Sequence, residues 1–232
     1  PGSDSKSNVS DKIMNKAVNA ANRALGHVLA HPDSSPTALK SLDLSYNNLI
    51  DGPALDPFLL GLRNNSTLLS LKLNHNPVGC SRHLMKAVAG LQQLVTLDCS
   101  GMCMMQKRGN VESPLSAWRT VANSSQCFPK LQNLNLSRNF LGPKDATALS
   151  AFISQCSTLR TLNAAFNCFG DEGAAELFTA IGQSRLVDVN VDYCLLTCGS
   201  VSSIAALIEQ CTDLESFSCF GNQLGPTAGN AL

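Results

Sequence analysis

One pattern governs this 232-residue chain. Leu-x-x-Leu-x-Leu-x-x-Asn runs from Leu39 to Asn47 and returns from Leu68 to Asn76 and from Leu131 to Asn139. It appears again from Leu159 to Asn167, with Ala164 at the sixth position. Looser copies run from Leu94 to Met102, from Leu186 to Cys194 and from Leu214 to Asn222. The starts at 39, 68, 94, 131, 159, 186 and 214 are separated by 29, 26, 37, 28, 27 and 28 residues. Seven copies in one register are the signature of a repeat architecture, in which each unit can bury its apolar face only against its neighbours.

The spacing carries its own physics. Leucines at positions one, four and six point inward from a short strand and the bend leading into it, while the residues between them face out. The asparagine at position nine can satisfy backbone groups where the chain turns away from the strand, one asparagine above the next. A further apolar residue follows two positions later, as Leu49, Val78, Leu141, Phe169, Leu196 and Leu224. Helical spacing then takes over, with Ala146, Leu149 and Ile153 in one unit and Ala174, Leu177 and Ile181 in the next.

This pattern, closed by a full helix, resembles the ribonuclease-inhibitor class of leucine-rich repeats over roughly residues 37–232. The resemblance implies an α/β fold: a right-handed horseshoe solenoid with a parallel sheet on the concave face and helices on the convex face. It also implies intracellular residence and binding through the concave face. Class members include ribonuclease inhibitors, NOD-like receptor sensor regions, the Ran GTPase-activating protein, and the actin-regulating tropomodulin and CARMIL families. No motif selects one of them. A GTPase activator would need a catalytic arginine on the loop edge, and Arg138, just before Asn139, is the candidate for that role.

Outside the repeats, Pro1-Gly2-Ser3 reads as the remnant of a cleaved tag. Residues 4–36 read as an N-terminal helical cap and its linker, with Ile13, Ala17, Ala20, Ala24 and Val28 at helical spacing and Pro32 just past the end. Residues 37–232 form the repeat domain, which stops inside the helix of its seventh unit, so a longer parent protein is expected.

Charge and cysteine content narrow the function. Seventeen Lys+Arg balance 17 Asp+Glu, and only 15% of residues are charged, which excludes a nucleic-acid binder driven by phosphate contacts. No apolar run approaches the ~18 residues of a membrane span, so membrane insertion is not expected. The ten cysteines form no C-x-x-C pair, and several fall in core slots: Cys99 and Cys219 at position six, Cys194 in place of the ladder asparagine. Buried thiols behave as small hydrophobes, and the expectation is a reducing, cytoplasmic setting without disulfides.

Reactive constellations are absent from the sequence. No G-x-S-x-G, P-loop or H-E-x-x-H motif occurs, and His27 and His31, four apart, have no third ligand nearby. Neither catalytic residues, nor a cofactor, nor a metal is expected. Two surfaces stand out instead. Tyr46 and Lys72 face outward in the first half of the ladder, and Arg138, Phe166, Asp188, Asp192, Tyr193 and Phe220 in the second. Exposed aromatics on a rigid polar sheet are binding anchors, and the two aspartates would favour a basic residue on the partner. The third repeat is about nine residues too long. Its insertion holds Met104, Met105, Lys107 and Arg108, and Trp118 falls near the slot of a helix alanine, an edge where inserted loops can carry function. The expectation is a monomeric protein-interaction scaffold that binds a protein partner. The alternatives are a cytoskeletal scaffold of the tropomodulin or CARMIL kind, and a regulatory domain of a GTPase activator or other enzyme.

Overall fold

A computed structural model describes residues 20–30, 39–50, 52–78, 81–103 and 128–226. Seven strands lie in one parallel sheet in chain order: β1 (Ser41–Asp43), β2 (Ser70–Lys72), β3 (Thr96–Asp98), β4 (Asn133–Asn135), β5 (Thr161–Asn163), β6 (Asp188–Asn190) and β7 (Ser216–Ser218). Each strand occupies positions three to five of its repeat, and like positions pair, Leu42 with Leu71 and Leu97 with Leu134. The helices form the second layer: α1 over 20–30, α2 (Asp56–Arg63), α3 (Arg82–Ala89), α4 (Pro143–Gln155), α5 (Gly170–Gly182) and α6 (Val201–Gln210). The sheet is open, with β1 and β7 at its edges. This is a solenoid.

Between the layers lies one continuous core. Leu68, Leu71, Leu73, Leu131, Leu134, Leu136, Leu159, Leu162 and Ala164 are all buried, as are Ala146, Leu149, Ile153, Ala174, Leu177 and Ile181 from the helices. Phe152 meets Phe128 edge-on at 6.0 Å between ring centroids, and Phe178 meets Phe217 at 5.9 Å. At the two edges the same positions are only half-buried, Leu39, Leu42 and Leu44 in the first repeat and Leu214, Phe217 and Cys219 in the last, because β1 and β7 each have a neighbour on one side only.

The asparagine ladder is built from bonds in both directions. Asn167 accepts from the backbone N–H groups of Asn139 (3.1 Å) and Leu141 (3.0 Å) in the preceding repeat, and donates to the carbonyls of Leu136 (3.1 Å) and Ala164 (2.7 Å). Asn76, Asn139 and Asn222 repeat this arrangement. Asn47, in the first repeat, bonds the carbonyl of its own Ser45 instead, and two inner repeats lack the asparagine. Met102 puts a buried thioether in the slot, and Cys194 directs its Sγ at the Ala164 carbonyl, 3.3 Å away.

Helix α1 packs through a face that its apolar spacing does not mark. Ala20, Ala24 and Val28 face outward, and the inner face is Asn22, Gly26 and Leu29. Close approach of backbones decides this rather than apolar periodicity. A Cβ on Gly26 would stand 2.1 Å from the Pro57 carbonyl oxygen, and one on Gly61 would stand 2.3 Å from the Gly26 carbonyl oxygen. Two buried amides fasten the crossing, Asn22 donating to the Ala54 carbonyl and Asn65 to the Leu29 carbonyl, both at 2.9 Å.

The eight described cysteines are free thiols, five of them buried. Burial raises the Cys99 thiol above its ordinary range, with the charges of Asp98 and Cys103 adding to it, and pushes Cys194 up to about 12. A group that the fold keeps protonated while the unfolded chain releases its proton near 9.0 contributes stability below that pH and loses it as pH rises toward 12. Stability is therefore expected to fall between pH 9 and 12, each such thiol contributing at most about 1.4 kcal/mol per pH unit. Melting curves of the wild type and Cys194→Asn, which removes one of these thiols and restores the ladder residue, will show a shallower alkaline fall in the variant. Equal slopes would rule out Cys194 as a contributor.

Candidate functional site

The turn after each strand sets the geometry of the outer rim. Position five caps it in five repeats: the side chains of Asp43, Asp98, Asn135, Asn163 and Asn190 accept from the N–H two residues on, at 2.9–3.1 Å. Position eight then adopts the left-handed conformation in every repeat: Tyr46, His75, Gly101, Arg138, Phe166, Tyr193 and Gly221, with φ between 52° and 72°. A left-handed backbone costs an L-residue roughly 1–2 kcal/mol, so five large side chains at this position are held by their surroundings.

What holds them is their mutual stacking. Tyr46 lies on His75, with centroids 4.4 Å apart and planes 12° from parallel. The His75 ring covers Gly101 so closely that a Cβ there would be 2.7 Å from it. A second stack begins at Arg138, whose guanidinium carbon is 3.9 Å from the Phe166 centroid. Phe166 stacks on Tyr193 at 4.6 Å, and Tyr193 covers Gly221, where a Cβ would fall 2.3 Å from the ring. Each stack thus ends on a glycine, which supplies both the left-handed turn and the missing Cβ. Phe220, at position seven, stands edge-on to Tyr193 at 5.6 Å and 82°.

The structure therefore brings Arg138, Phe166, Tyr193 and Phe220 together and sets Tyr46 apart with His75. The rings remain open to solvent: Tyr46 is 70% exposed, Phe166 39%, Tyr193 42% and Phe220 69%. Lys72 is not a free cation, since its Nζ pairs with Asp43 at 3.7 Å. The Ser45 hydroxyl and N–H, with help from Lys72, hold the Asp43 carboxyl below its ordinary range. Asp188 is exposed at the start of β6. Asp192 is half-buried, and its Oδ1 accepts from the Ser218 hydroxyl and the Phe220 N–H, both at 2.6 Å, so half of its carboxylate is spent on the next turn. Met104, Met105, Lys107, Arg108 and Trp118 lie outside the described residues. So does His31, and no cluster of metal-ligating side chains occurs among the described residues.

Sequence reasoning missed Phe140 and Leu195, which are 60% and 61% exposed at position ten with positive φ. Their signal was a large apolar residue directly after the inward ladder position, where the side chain must turn out again.

Fold and rim together define a solenoid that displays fixed side chains along one edge. The sequence matches the family described as Leucine Rich repeat over residues 35–58 and 155–178. With seven registered repeats and a seven-stranded parallel sheet, the chain has the leucine-rich repeat architecture. No curated protein matches its sequence. Among solved structures it is similar to the tropomodulin C-terminal domain of Caenorhabditis elegans, at 12% identity over 90% of this chain and 87% of that one, with a TM-score of 0.43. It is also similar to the leucine-rich repeat-containing protein LegL7 of Legionella pneumophila, at 19% identity over 88% of this chain and 72% of that one, with a TM-score of 0.49.

Proposed function

We propose that this domain is a non-enzymatic protein-interaction scaffold of an intracellular protein, which binds its partner on the C-terminal half of the concave sheet and the adjoining rim. The observation that carries this reading is the Arg138–Phe166–Tyr193 stack with Phe220 beside it: large side chains in a costly backbone conformation, packed on one another yet open to solvent. Strain of this kind gathers at functional positions, and exposed aromatics are the anchors that interfaces use. The sheet beside them is polar and rigid. The Oδ1 atoms of Asn135, Asn163 and Asn190 are taken by their own turns, which leaves three side-chain NH2 groups in a row across β4, β5 and β6. The thiol-filled core supports residence in a reducing compartment. Arg138, the residue a GTPase activator would need, is engaged with Phe166.

The test is capture of partners by the immobilised domain, their identification by mass spectrometry, and affinity measurement against variants. Phe166→Asn with Tyr193→Asn removes the rings while keeping residues that accept the left-handed turn. Each lost anchor should weaken binding about fivefold or more, with the melting temperature little changed. Full binding by this variant, together with loss of binding on deletion of residues 104–111, would move the interface to the inserted segment and overturn the reading.

A further inference from the structure

The open end of the aromatic stack has a defined chemistry. Tyr193 and Phe220 form a right-angled corner, and Phe220 keeps most of its surface in solvent. At the root of that corner sits Asp192, fixed through Oδ1 by the Ser218 hydroxyl and the Phe220 N–H. Its other oxygen, Oδ2, has no protein partner among the described residues. Asp192 is also the one charge in its column: position seven reads Ser45, Asn74, Ser100, Ser137, Ala165, Asp192 and Phe220. In the first half of the sheet Asp43 has its own cation in Lys72, and Asp98 spends its Oδ1 on the Ser100 N–H and hydroxyl. In the second half neither Asp192 nor the exposed Asp188 on the same strand-and-turn segment has a cationic partner among the described residues, and Arg138 is laid over Phe166.

We propose that this corner is an arginine-recognition site, which takes the guanidinium of a partner polypeptide against the Phe220 ring while Asp192 Oδ2 accepts its N–H groups. The inference rests on the rim being the interface and adds the chemistry of what docks there. A planar guanidinium suits both halves of the corner, since it stacks on an aromatic ring and presents donors to a carboxylate in the same plane. The rim already shows the stacking half of that contact, with Arg138 closing the other end of the same aromatic run. An ammonium would satisfy the carboxylate but cover less of the ring. A neutral side chain would leave Oδ2 without a charge partner.

The test uses three small probes on the intact domain, read by aromatic and side-chain NMR shifts: N-acetyl-arginine methylamide, the lysine analogue, and the neutral citrulline analogue. The arginine probe should shift the Tyr193 and Phe220 ring signals in a saturable way, and the citrulline probe should leave them in place. The lysine probe should bind at least about threefold more weakly than arginine. Asp192→Asn and Phe220→Leu should each weaken the arginine probe by about threefold or more, the range of an exposed cation–π contact. Equal shifts from citrulline and arginine, equal affinity for lysine and arginine, or saturable arginine binding that bypasses both rings would each overturn the proposal. The two failures separate because the probes are read on the unsubstituted domain, whereas the capture variant tests the stack. Loss of partner in the Phe166→Asn, Tyr193→Asn protein, with no saturable arginine binding by the unsubstituted domain, would keep the interface and remove the arginine.

Discussion

Asn139→Ala is expected to lower the stability of this domain by about 3 kcal/mol or more in urea denaturation at neutral pH. Asn139 is fully buried. Its Oδ1 accepts from the N–H groups of Met102 (2.8 Å) and Cys103 (3.1 Å), and its Nδ2 donates to the carbonyls of Cys99 (2.8 Å) and Leu136 (3.0 Å). Alanine leaves all four backbone groups without that partner, and each buried group left unsatisfied costs roughly 1–3 kcal/mol before water or relaxation recovers part of it. The matched control is Asn47→Ala at the exposed first rung, where among the described residues the side chain donates to the Ser45 carbonyl alone, at 3.0 Å, and the cost should stay below about 1 kcal/mol. Equal costs at the two positions would show that the ladder does not stabilise the fold in the way its bonds suggest.

The second large effect is in the core of the same repeat. Leu134 and Leu136 are 2% and 0% exposed, at positions four and six beneath β4. Truncating either to alanine should cost roughly 2–5 kcal/mol, the sum of lost transfer energy and a cavity that close packing cannot fully refill. Leu60→Ala, on a side chain 58% exposed on α2, should stay within about 0.5 kcal/mol. Thermal melts of the three variants give the comparison. Unchanged stability in both core variants would contradict the repeat register itself.

That register was legible in the sequence because it rests on many equivalent residues. Leu68, Leu97, Leu134 and Leu162 sit where the spacing puts them, since a one-residue slip would turn a whole apolar set outward. The rim was half legible. Its residues could be named from the positions between the leucines, but not their mutual arrangement. Nothing in the identity of Phe166 or Tyr193 announces a left-handed backbone, since that conformation comes from the turn that Asn163 and Asn190 cap. Gly101 and Gly221 gave the hint in retrospect, as the two small residues in a column of large ones. Asp192 looked like a free charge because the sequence does not show that the next turn would take one of its oxygens. The packing face of helix α1 was hidden for a related reason. Its inner face is chosen by two glycines and two amides that tie backbone to backbone, and periodicity of apolar residues is blind to both.

The rim column has a metrical consequence. Every side chain in it is pinned by a backbone state that admits little adjustment, and consecutive pins are separated by one strand spacing, about 4.8 Å. A ligand lying along this edge cannot slide by a fraction of that distance and keep its contacts, so its placement is counted in whole repeats, like a key whose teeth match a fixed pitch. Gly101 and Gly221 are the blank teeth, dividing the scale into one segment that starts at Tyr46 and another that starts at Arg138. Moving a blank, or adding one repeat between them, would change which partner fits while every strand and leucine stayed in place.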